Sequence, residues 1–296
     1  MASKVIDGKK VAAEFRQKSA EGARKLREET GVTPGMGVLL VGGDPASWSY
    51  VTAKEKACLE AGFYSDNRKL PDTLTQAELE RHIEEMNRDP RIHGILVQLP
   101  LPRHLNADRV LDVISPDKDV DGFTPLNIGR LMVGQPAFAP CTPNGVIQLL
   151  LHAGVKTEGA HAVIVGRSNI VGRPLAYLLS RKAPGGNATV TICHTGTRDV
   201  AQLTRQADIL IAATGMPDTI MPGMVKDGAV VIDVGVNRMA DASRASGFRL
   251  VGDVNPAALD VAAAHTPVPG GVGPMTIAML LENTLLSAQR AAGRAS

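Results

Sequence analysis

The sequence predicts an α/β protein of two domains, each built on a parallel sheet with helices on both faces. Short apolar runs rich in β-branched residues alternate with helical stretches along most of the chain. The alternation is interrupted over residues 115–143, which are rich in Pro, Gly and Asp, and then resumes. A length of 296 residues is sufficient for two domains. We place the boundary near residue 145, so that 1–145 form the first domain and 146–279 the second.

The first domain is predicted to alternate between helices and buried strands. Charged and alanine-rich positions indicate an amphipathic first helix, and glycine and proline residues mark the ends of strands. Thr75 is positioned to cap the third helix, and Gly62 ends the second. In chain order, the predicted elements are helix 10–29, strand 37–41, helix 49–61, strand 64–70, helix 75–88, strand 94–99 and helix 106–114.

The second domain has the order of strands and helices that is typical of a doubly wound nucleotide domain. It begins with a helix at 143–153, for which Thr142 is the predicted N-cap. A final apolar helix, 275–286, follows a loop rich in glycine and proline. Between these two helices we predict strand 161–165, helix 173–181, strand 188–193, helix 197–205, strand 208–212, a helical turn at 221–225, strand 229–234 and strand 249–253.

The composition, with 44% hydrophobic and 21% charged residues, is that of a globular protein. A net charge of +2 without a dense Lys/Arg block, and only 3% aromatic residues, argue against a nucleic-acid-binding surface. Cys58, Cys141 and Cys193 form no C-x-x-C pair, which favours a reducing compartment and argues against a zinc site. No signal peptide and no run of 18 apolar residues is evident. We therefore expect a cytoplasmic protein without a metal, and with neither a membrane nor a nucleic acid as partner.

Two glycine-rich turns precede predicted helices. The first, Gly166 to Gly172, directly follows the strand at 161–165. Free backbone N–H groups at such a helix start can hold a phosphate, which favours a nucleotide cofactor. The glycine spacing matches neither the G-x-G-x-x-G fingerprint nor a Walker A loop, and an ordinary βα turn is an equally good interpretation. The second turn, 267–274, favours contact with a ligand over a flexible loop, because it too ends at a helix N-terminus.

Tyr50 and Lys54 lie four residues apart on a predicted helix and therefore share one face. The same face continues through small or apolar residues: Ala57, Cys58 and Ala61. A lysine in an apolar pocket has a lowered pKa and can act as a base near neutral pH. Tyr50, one turn earlier, is able to stack on a flat ligand. A solvated helix face is the commoner setting for such a pair, so the spacing alone leaves both interpretations open.

Gln98 ends a predicted strand, at the edge of the sheet where open α/β proteins bind ligands. Its amide is suited to hold a lysine or a ligand carbonyl, and a polar strand end facing water is an equally good interpretation.

The segment 117–122 reads DKDVDG and matches the start of a calcium-binding EF-hand loop. Position 12 of that loop requires a Glu and is Ile128 here, so we exclude calcium. We expect Asp121, beside Gly122, to accept hydrogen bonds from a donor-rich ligand edge. The alternative is an Asx turn that only shapes the loop.

The strand predicted at 188–193 ends without the Asp or Glu that NAD enzymes usually place there to bind the ribose 2′-hydroxyl. The chain has His194, Thr195, Gly196, Thr197 and Arg198 instead. Because an acid is missing and Arg167 lies in the first glycine turn, we expect NADP, with its 2′-phosphate, to be the cofactor.

Five segments together resemble the bifunctional methylenetetrahydrofolate dehydrogenase/methenyltetrahydrofolate cyclohydrolase family. They are SYVTAKEK at 49–56, VQLPLP at 97–102, DKDVDG at 117–122, GRS at 166–168 and PVPGGVGPMT at 267–276. The resemblance covers nearly the whole chain in the same order. It implies a homodimer in which each chain has an N-terminal three-layer α/β substrate domain, a C-terminal Rossmann-like NADP domain, and the folate in the cleft between them. It also implies that the C-terminal helix, about 280–296, packs back on the first domain.

The family resemblance implies two successive reactions of one-carbon metabolism. NADP+ takes a hydride from the methylene carbon of 5,10-methylenetetrahydrofolate, and water then opens the resulting 5,10-methenyltetrahydrofolate to 10-formyltetrahydrofolate. The implied catalytic residues are Lys54 as general acid/base, Gln98 as its partner, Tyr50 packed on the folate, and Asp121 on the pterin edge. The implied substrate-binding residues are Tyr50, Asp121, Pro100 and Pro269. The implied NADP-binding residues are Gly166, Arg167, Ser168, His194, Thr195, Val236, Gly273 and Thr276.

The chain departs from the family pattern at Gly196, where many members have a lysine. Arg167 and Arg198 are then the candidate cations for the 2′-phosphate. A loop at 182–187 is longer than usual, and we expect it at the surface. Three other functions remain as alternatives: a monofunctional dehydrogenase, an NADP-dependent dehydrogenase of the shikimate type, and an NADP-sensing binding protein. Lys54 argues against the first of these, and the Gln98 and Asp121 motifs argue against the second.

Overall fold

Parallel sheets form the centre of both units into which the chain divides. The computed structural model describes residues 3–244 and 247–295. Unit I comprises Ala13–Cys141 with 277–295, and unit II comprises 3–12 with Thr142–Thr276. Each unit is therefore made of two separate stretches of chain. Residues 3–12 group with unit II, whereas the sequence led us to assign all of 1–145 to one domain.

The elements of the first half of the chain alternate regularly after a short first strand. They are β1 (Lys4–Val5), α1 (Gly8–Thr30), β2 (Gly35–Val41), α2 (Pro45–Glu60), β3 (Tyr64–Leu70), α3 (Gln76–Arg88), β4 (Gly94–Val97), α4 (Ala107–Val113), α5 (Pro125–Met132) and α6 (Cys141–His152).

The elements of the second half include a short 3-10 helix at Pro256–Leu259. The others are β5 (His161–Val165), α7 (Gly172–Ser180), β6 (Thr189–Cys193), α8 (Val200–Thr204), β7 (Ile209–Ala212), β8 (Val230–Asp233), β9 (Asn237–Ala240), β10 (Phe248–Val251), β11 (Ala264–His265) and α9 (Val272–Ala291).

In unit I, β2 lies between β3 and β4 and pairs with both in parallel. All seven residues of β2 are buried, as expected for a central strand with both faces covered. Helix α3 adds an apolar stripe to the core beside this sheet, formed by Leu79, Ile83 and Met86. The sheet therefore provides a rigid base for the residues that follow its strands.

The capping residues of unit I explain which predicted helix boundaries agree with the structure and which do not. Thr75 caps α3 as predicted, in a reciprocal capping box with Glu78. Helix α2 begins at Pro45, four residues before the predicted start, because Asp44 caps it and proline suits the first turn.

The segment predicted to be irregular, 115–143, contains two helix starts. Helix α5 lies within it, capped by the Thr124 side chain and begun by Pro125. Thr142 was predicted to cap the next helix, but it lies inside α6, which begins at Cys141.

In unit II, six parallel strands stand in the order β1-β11-β8-β7-β5-β6. The strand order reverses at β5, which lies between β6 and β7. This is the doubly wound topology that the sequence predicted, and the carboxyl end of β5 is its switch point. The two-residue strand β1 joins this sheet by pairing with β11.

Three predictions in unit II differ from the structure. The predicted strand 249–253 is β10, which pairs antiparallel with β9, a strand the sequence did not indicate. The predicted helical turn at 221–225 is a turn outside any helix, with a bond from the Met224 N–H to the Met221 carbonyl. Helix α8 spans five residues instead of nine, because Asp199 caps it only at its start at Val200.

The part of α9 in unit I supplies buried polar contacts. The Asn283 side-chain amide donates to the carbonyls of Val120 at 2.8 Å and Ala139 at 3.1 Å. The Ser287 hydroxyl lies within hydrogen-bond distance of the carbonyls of His93 at 2.6 Å and Asp117 at 2.8 Å, and its single proton is shared between them. The C-terminal helix thus packs against the 117–121 loop of unit I, in agreement with the resemblance. Across residues 3–244 and 247–295, every helix is too short or too polar to cross a lipid bilayer.

Candidate active site

Lys54 is a buried lysine, with only 8% of the residue exposed. It projects from the middle of α2, and the next turn of that helix places Ala57 and Cys58 in the core. Its Nζ atom donates a hydrogen bond of 3.0 Å to Oε1 of Gln98. The helix face that carries Lys54 is therefore a packed surface, not a solvated one.

Gln98 directly follows β4, and its own backbone fixes its position. Its backbone N–H donates to the Leu39 carbonyl of β2 at 2.9 Å, and its side-chain Nε2 donates to the Leu99 carbonyl at 2.7 Å. The second bond orients the amide so that Oε1 points to Lys54. Gln98 thus lies just beyond the end of β4, which is two residues shorter than the predicted strand 94–99, and uses its side-chain carbonyl oxygen to hold the lysine.

The electrostatic surroundings of Lys54 favour the neutral amine. Burial lowers the pKa of Lys54, because an ammonium loses its hydration there. The nearby Asp121 carboxylate acts in the opposite direction and moderates the shift. A lysine whose pKa burial has lowered gives up its proton more readily than an exposed lysine does, which suits it to general acid/base catalysis.

Asp121 is partly exposed, and burial of its carboxyl group raises its pKa, while the charge of Lys54 lowers it. The loop that carries it is built by another residue, Asp119, which is buried. The Asp119 carboxylate accepts hydrogen bonds from the backbone N–H groups of Gly122, Phe123 and Thr124, at 3.0, 3.1 and 2.8 Å. The Asx-type role that we considered for Asp121 therefore belongs to Asp119, and Asp121 is left to face Lys54.

Two buried thiols complete the surroundings of the lysine: the sequence placed Cys58 on the same helix face, whereas it did not indicate Cys141 as part of a site. The Cys141 thiol donates to the Val120 carbonyl at 3.2 Å, and burial raises the pKa of Cys141 well above its usual value. Burial raises the pKa of Cys58 to about 12. Both thiols are therefore neutral near pH 7. Position one turn after Lys54 was the signal available for Cys58, whereas Cys141 lies 87 residues from Lys54 in a segment without a pattern.

The other predicted substrate-binding residues are distributed over both units. Tyr50 lies one turn before Lys54 on α2 and is 40% exposed. Pro100 follows Gln98 closely, after a cis Leu99–Pro100 bond. Pro269 belongs to unit II and also follows a cis bond. Unit I thus brings together Lys54, Gln98 and Asp121, with Tyr50 and Pro100 next to them in sequence.

Gly166 occupies the carboxyl end of β5, at the switch point of the unit II sheet. Its φ of +134° suits glycine, and a Cβ there would collide with the Ala213 carbonyl oxygen. A Cβ at Gly172, the first residue of α7, would collide with the Gly166 carbonyl. The Ser168 hydroxyl accepts the backbone N–H of Val171 at 3.1 Å. Both glycines are therefore required for a tight turn into a helix, which is the geometry that brings backbone close to a phosphate.

The neighbouring strand β6 leads into a second exposed turn. The His194 backbone N–H donates to the Thr197 hydroxyl at 2.9 Å, and the Gly196 N–H donates to Nδ1 of His194 at 3.1 Å. Thr195 is exposed, as are Arg167 and Arg198. The turn is thus ordered by its own side chains, and residues 194–198 contain no carboxylate.

The remaining predicted cofactor residues also belong to unit II. Val236 follows β8 and is exposed. Gly273 and Thr276 lie in the first turns of α9, where the Thr276 hydroxyl bonds that of Thr142 at 2.9 Å. Within the described residues no group of three His, Cys, Asp or Glu side chains is arranged to hold a metal ion.

Comparison with known proteins decides which family these two units represent. Residues 6–121 match the family model of the tetrahydrofolate dehydrogenase/cyclohydrolase catalytic domain, and residues 140–292 match that of its NAD(P)-binding domain. The chain belongs to the tetrahydrofolate dehydrogenase/cyclohydrolase family. The predicted family, the two-domain α/β fold class and the bifunctional enzyme class are therefore confirmed.

Curated relatives of the family are similar over the full length of the chain. The bifunctional protein FolD of Syntrophus aciditrophicus is 54% identical over 99% of this chain and 100% of the relative. That of Moorella thermoacetica is 53% identical over 98% of this chain and 100% of the relative.

Solved structures agree with this assignment. The FolD enzyme of Campylobacter jejuni has a TM-score of 0.91 and 46% identity, covering 98% of this chain and 99% of that one. The FolD enzyme of Trypanosoma brucei, solved with NADP and an inhibitor, has a TM-score of 0.93 and 40% identity, covering 98% of both chains. The expected NADP-type cofactor is thus confirmed for the family. A shikimate 5-dehydrogenase of Thermus thermophilus, at 16% identity and a TM-score of 0.52, shares the fold alone.

Proposed function

We propose that this chain oxidises 5,10-methylenetetrahydrofolate with NADP+ and hydrolyses the product, 5,10-methenyltetrahydrofolate, to 10-formyltetrahydrofolate. The observation that carries the proposal is the buried Lys54 amine held by Gln98 beside Asp121. A reaction that only transferred a hydride would need no such base, whereas a hydrolysis does.

For the oxidation, we assign the protein a role of alignment. Bound NADP+ supplies the hydride acceptor. Loss of hydride from the methylene carbon is assisted by the lone pair of a folate nitrogen. The protein therefore has to align the nicotinamide ring of the cofactor with the folate. Tyr50 packs on the folate, Pro100 and Pro269 contact it, and Asp121 binds the hydrogen-bond donors of the pterin edge.

For the hydrolysis, Lys54 moves the protons. In its neutral form the amine accepts a proton from the water that attacks the methenyl carbon, and the resulting ammonium returns a proton to the leaving nitrogen. Gln98 keeps one N–H of Lys54 engaged, which leaves the lone pair free for the water. Asp121 stabilises the ammonium while it exists.

The cofactor assignment rests on the turns after β5 and β6. Gly166, Arg167 and Ser168 hold the phosphates of NADP. His194 and Thr195 contact the 2′-phosphate side, where Arg167 and Arg198 supply positive charge and residues 194–198 contain no carboxylate. The two ends of the cofactor are assigned to three further residues, with Val236 towards the adenosine end, and Gly273 and Thr276 towards the nicotinamide end.

Our proposals for the oligomeric state and the cellular compartment rest on the family resemblance and on two structural features. Strand β3 is an edge strand, and its outer backbone groups face no further strand among the described residues, so a second copy of the chain is able to pair there. The three cysteines are free thiols, which suits the cytoplasm. We propose a cytoplasmic homodimer without nucleic-acid or membrane partners. Size-exclusion chromatography with light scattering measures the molar mass of the protein in solution and so tests the dimer. A monomeric mass at micromolar concentration would contradict the proposal.

One assay pair tests the function. The purified protein is supplied with 5,10-methylenetetrahydrofolate and NADP+, and NADPH formation is followed by absorbance. It is then supplied with 5,10-methenyltetrahydrofolate alone, and loss of the methenyl absorbance is followed against the spontaneous rate. We expect activity in both assays, and more with NADP+ than with NAD+. Absence of the second activity would leave a monofunctional dehydrogenase, and absence of both would overturn the proposal.

A further inference from the structure

Two buried carboxylates of unit II have no part in the mechanism above. Asp233 ends β8 and is 5% exposed, and Asp253, just after β10, is 0% exposed. Buried carboxylates are costly unless they are fully hydrogen-bonded, so their partners reveal what they hold.

Asp253 joins the segments that follow two neighbouring strands. Its Oδ2 atom accepts the backbone N–H groups of Thr214 at 2.6 Å and Gly215 at 2.9 Å, and the Thr214 hydroxyl at 3.0 Å. Its Oδ1 atom accepts Nδ2 of Asn237 at 2.9 Å. Thr214 and Gly215 follow β7, and Asn237 begins β9. One carboxylate thus links the turns at the carboxyl ends of β7 and β8.

Asp233 holds the backbone that carries Asp253. Its Oδ1 atom accepts the N–H groups of Gly235 and Asp253, both at 3.0 Å, and its Oδ2 atom accepts the Val254 N–H at 3.0 Å. A Cβ at Gly235 would collide with the Asp253 carboxylate, so the two segments are in close contact. The pair therefore fixes the turn at 235–237 from both sides.

The position of this carboxylate pair connects it with the cofactor. In doubly wound sheets, ligands bind beyond the carboxyl ends of the strands. The turn that Asp253 and Asp233 hold contains Val236, which the proposed function assigns to NADP. The turn at 214–215 follows β7, next to β5 and its glycine turn.

We propose that Asp253 is a positioning residue for NADP binding: it locks the 214–215 turn to the 235–237 turn, so that the cofactor meets a preformed backbone. Asp233 supports it by fixing the segment from which it projects. The inference rests on the proposed NADP function, and it concerns affinity for the cofactor, since both carboxylates belong to unit II.

The first test variant is Asp253→Asn, which keeps the size of the side chain. Its amide has a single acceptor oxygen, so either the 214–215 turn or Asn237 then faces an NH2 group. Isothermal titration with NADP+ should show a Kd raised about tenfold, equivalent to about 1.4 kcal/mol. Hydrolysis of 5,10-methenyltetrahydrofolate, which consumes no NADP+ and depends on Lys54 of unit I as its base, should stay near the wild-type rate. Asp227→Asn, at an exposed aspartate of unit II, is the matched control and should change neither quantity.

A reciprocal exchange separates positioning from general stability. In the double variant Asp253→Asn with Asn237→Asp, the new amide donates to the new carboxylate, and the link between the two turns is restored with its polarity reversed. We expect most of the NADP+ affinity to return. If Asp253→Asn does not fold, Asn237→Ala removes the same link from the less buried side and should raise the Kd severalfold.

The outcomes distinguish the inference from the proposed function. Unchanged NADP+ affinity in a folded Asp253→Asn or Asn237→Ala variant overturns the inference. So does the loss of both enzyme activities in Asp253→Asn, if the double variant with Asn237→Asp does not recover them. A wild-type protein that binds NADP+ without either folate activity overturns the proposed function. In that case the titrations still test the role of Asp253.

Discussion

The Nζ atom of Lys54 donates a hydrogen bond of 3.0 Å to Oε1 of Gln98, 44 residues later in the chain. The bond persists whichever protonation state the lysine adopts, because a neutral amine still has N–H groups to donate. It therefore fixes the position of the amine without consuming the lone pair that a base requires.

Replacing the lysine should separate the two activities. Lys54→Met keeps a side chain of similar length but removes the base, so hydrolysis of 5,10-methenyltetrahydrofolate should fall about 100-fold or more, a typical contribution of general-base catalysis. Hydride transfer should stay within about tenfold of wild type, because it needs alignment and not a base. Steady-state rates of both reactions measure this. Lys56→Met, at an exposed lysine of the same helix, is the control, and undiminished hydrolysis in Lys54→Met would exclude Lys54 as the base.

A charge at position 98 should move the pH profile. In Gln98→Glu, a carboxylate beside Lys54 favours the ammonium and raises the lysine pKa. Because hydrolysis needs the neutral amine, its rate near neutral pH should fall and recover as the pH increases. The pH dependence of hydrolysis measures the shift, with Gln98→Met as the uncharged comparison. A profile with the same midpoint in wild type and Gln98→Glu would contradict the role assigned to Lys54.

The Asn283 side chain should contribute measurably to stability. Asn283→Ala leaves the carbonyls of Val120 and Ala139 buried without this donor, which costs about 1–3 kcal/mol. Urea denaturation followed by circular dichroism measures the free energy of unfolding. Gln289→Ala, a partly exposed position on the same helix, should cost less than about 0.5 kcal/mol. Equal stability of the two variants would show that the Asn283 contacts do not stabilise the fold.

The Asp233 carboxyl should make stability fall as the pH rises. Burial raises its pKa from 3.8 to about 6, so the folded state holds this proton more tightly than the unfolded state does. Its stabilising contribution is complete below pH 3.8 and is lost as the pH passes 6. The free energy of unfolding of wild type, relative to that of Asp233→Asn, should therefore decrease between about pH 4 and about pH 7. Urea titrations at both pH values measure this, and a pH-independent difference would refute it.

Restoring a cation after Thr195 should strengthen the preference for NADP. Gly196 has an ordinary backbone conformation, and a Cβ there would approach only the His194 ring, at 3.3 Å. Gly196→Lys should therefore raise kcat/KM for NADP+ relative to NAD+ severalfold, with Gly196→Gln as the uncharged control. Loss of the effect at high salt would support an electrostatic origin. An equal change for both cofactors would show that this turn does not meet the 2′-phosphate.

The local sequence pattern was sufficient to predict those strands and helices whose ends are clearly marked in the sequence. Strands β3 and β5 match their predictions residue for residue, and Thr75 caps α3 as its spacing with Glu78 indicates. Helix α5 was missed because its eight residues are too few to establish a period and because Thr124 and Pro125 are as typical of a turn as of a helix start. The pairing of β1 with β11 was not predictable, since two-residue strands carry no pattern.

The candidate site likewise contains some residues that local sequence pattern can indicate and others that it cannot. Lys54 and Gln98 could be singled out because one lies on an apolar helix face and the other ends a strand, and both features are local. The roles of Cys141 and Asp253 depend on contacts with distant segments, so no spacing in the sequence marks them. The role of Asp119 depends on how its own loop folds. Asp119 and Asp121 stand two residues apart in one motif, and only the three-dimensional loop separates the residue that shapes it from the one that faces the lysine.

The bonds from Asn283 and Ser287 to the 93–139 region also constrain how the protein is made. Residues 277–295 are translated after residues 3–276, so those residues are synthesised before the part of α9 that completes unit I exists. Until then, the backbone groups that this helix covers must stay hydrated or be shielded by a chaperone. Unit I, although Ala13–Cys141 precede most of unit II, completes its folding only after residues 277–295 have been translated. A nascent chain stalled before residue 277 cannot contain the finished lysine site.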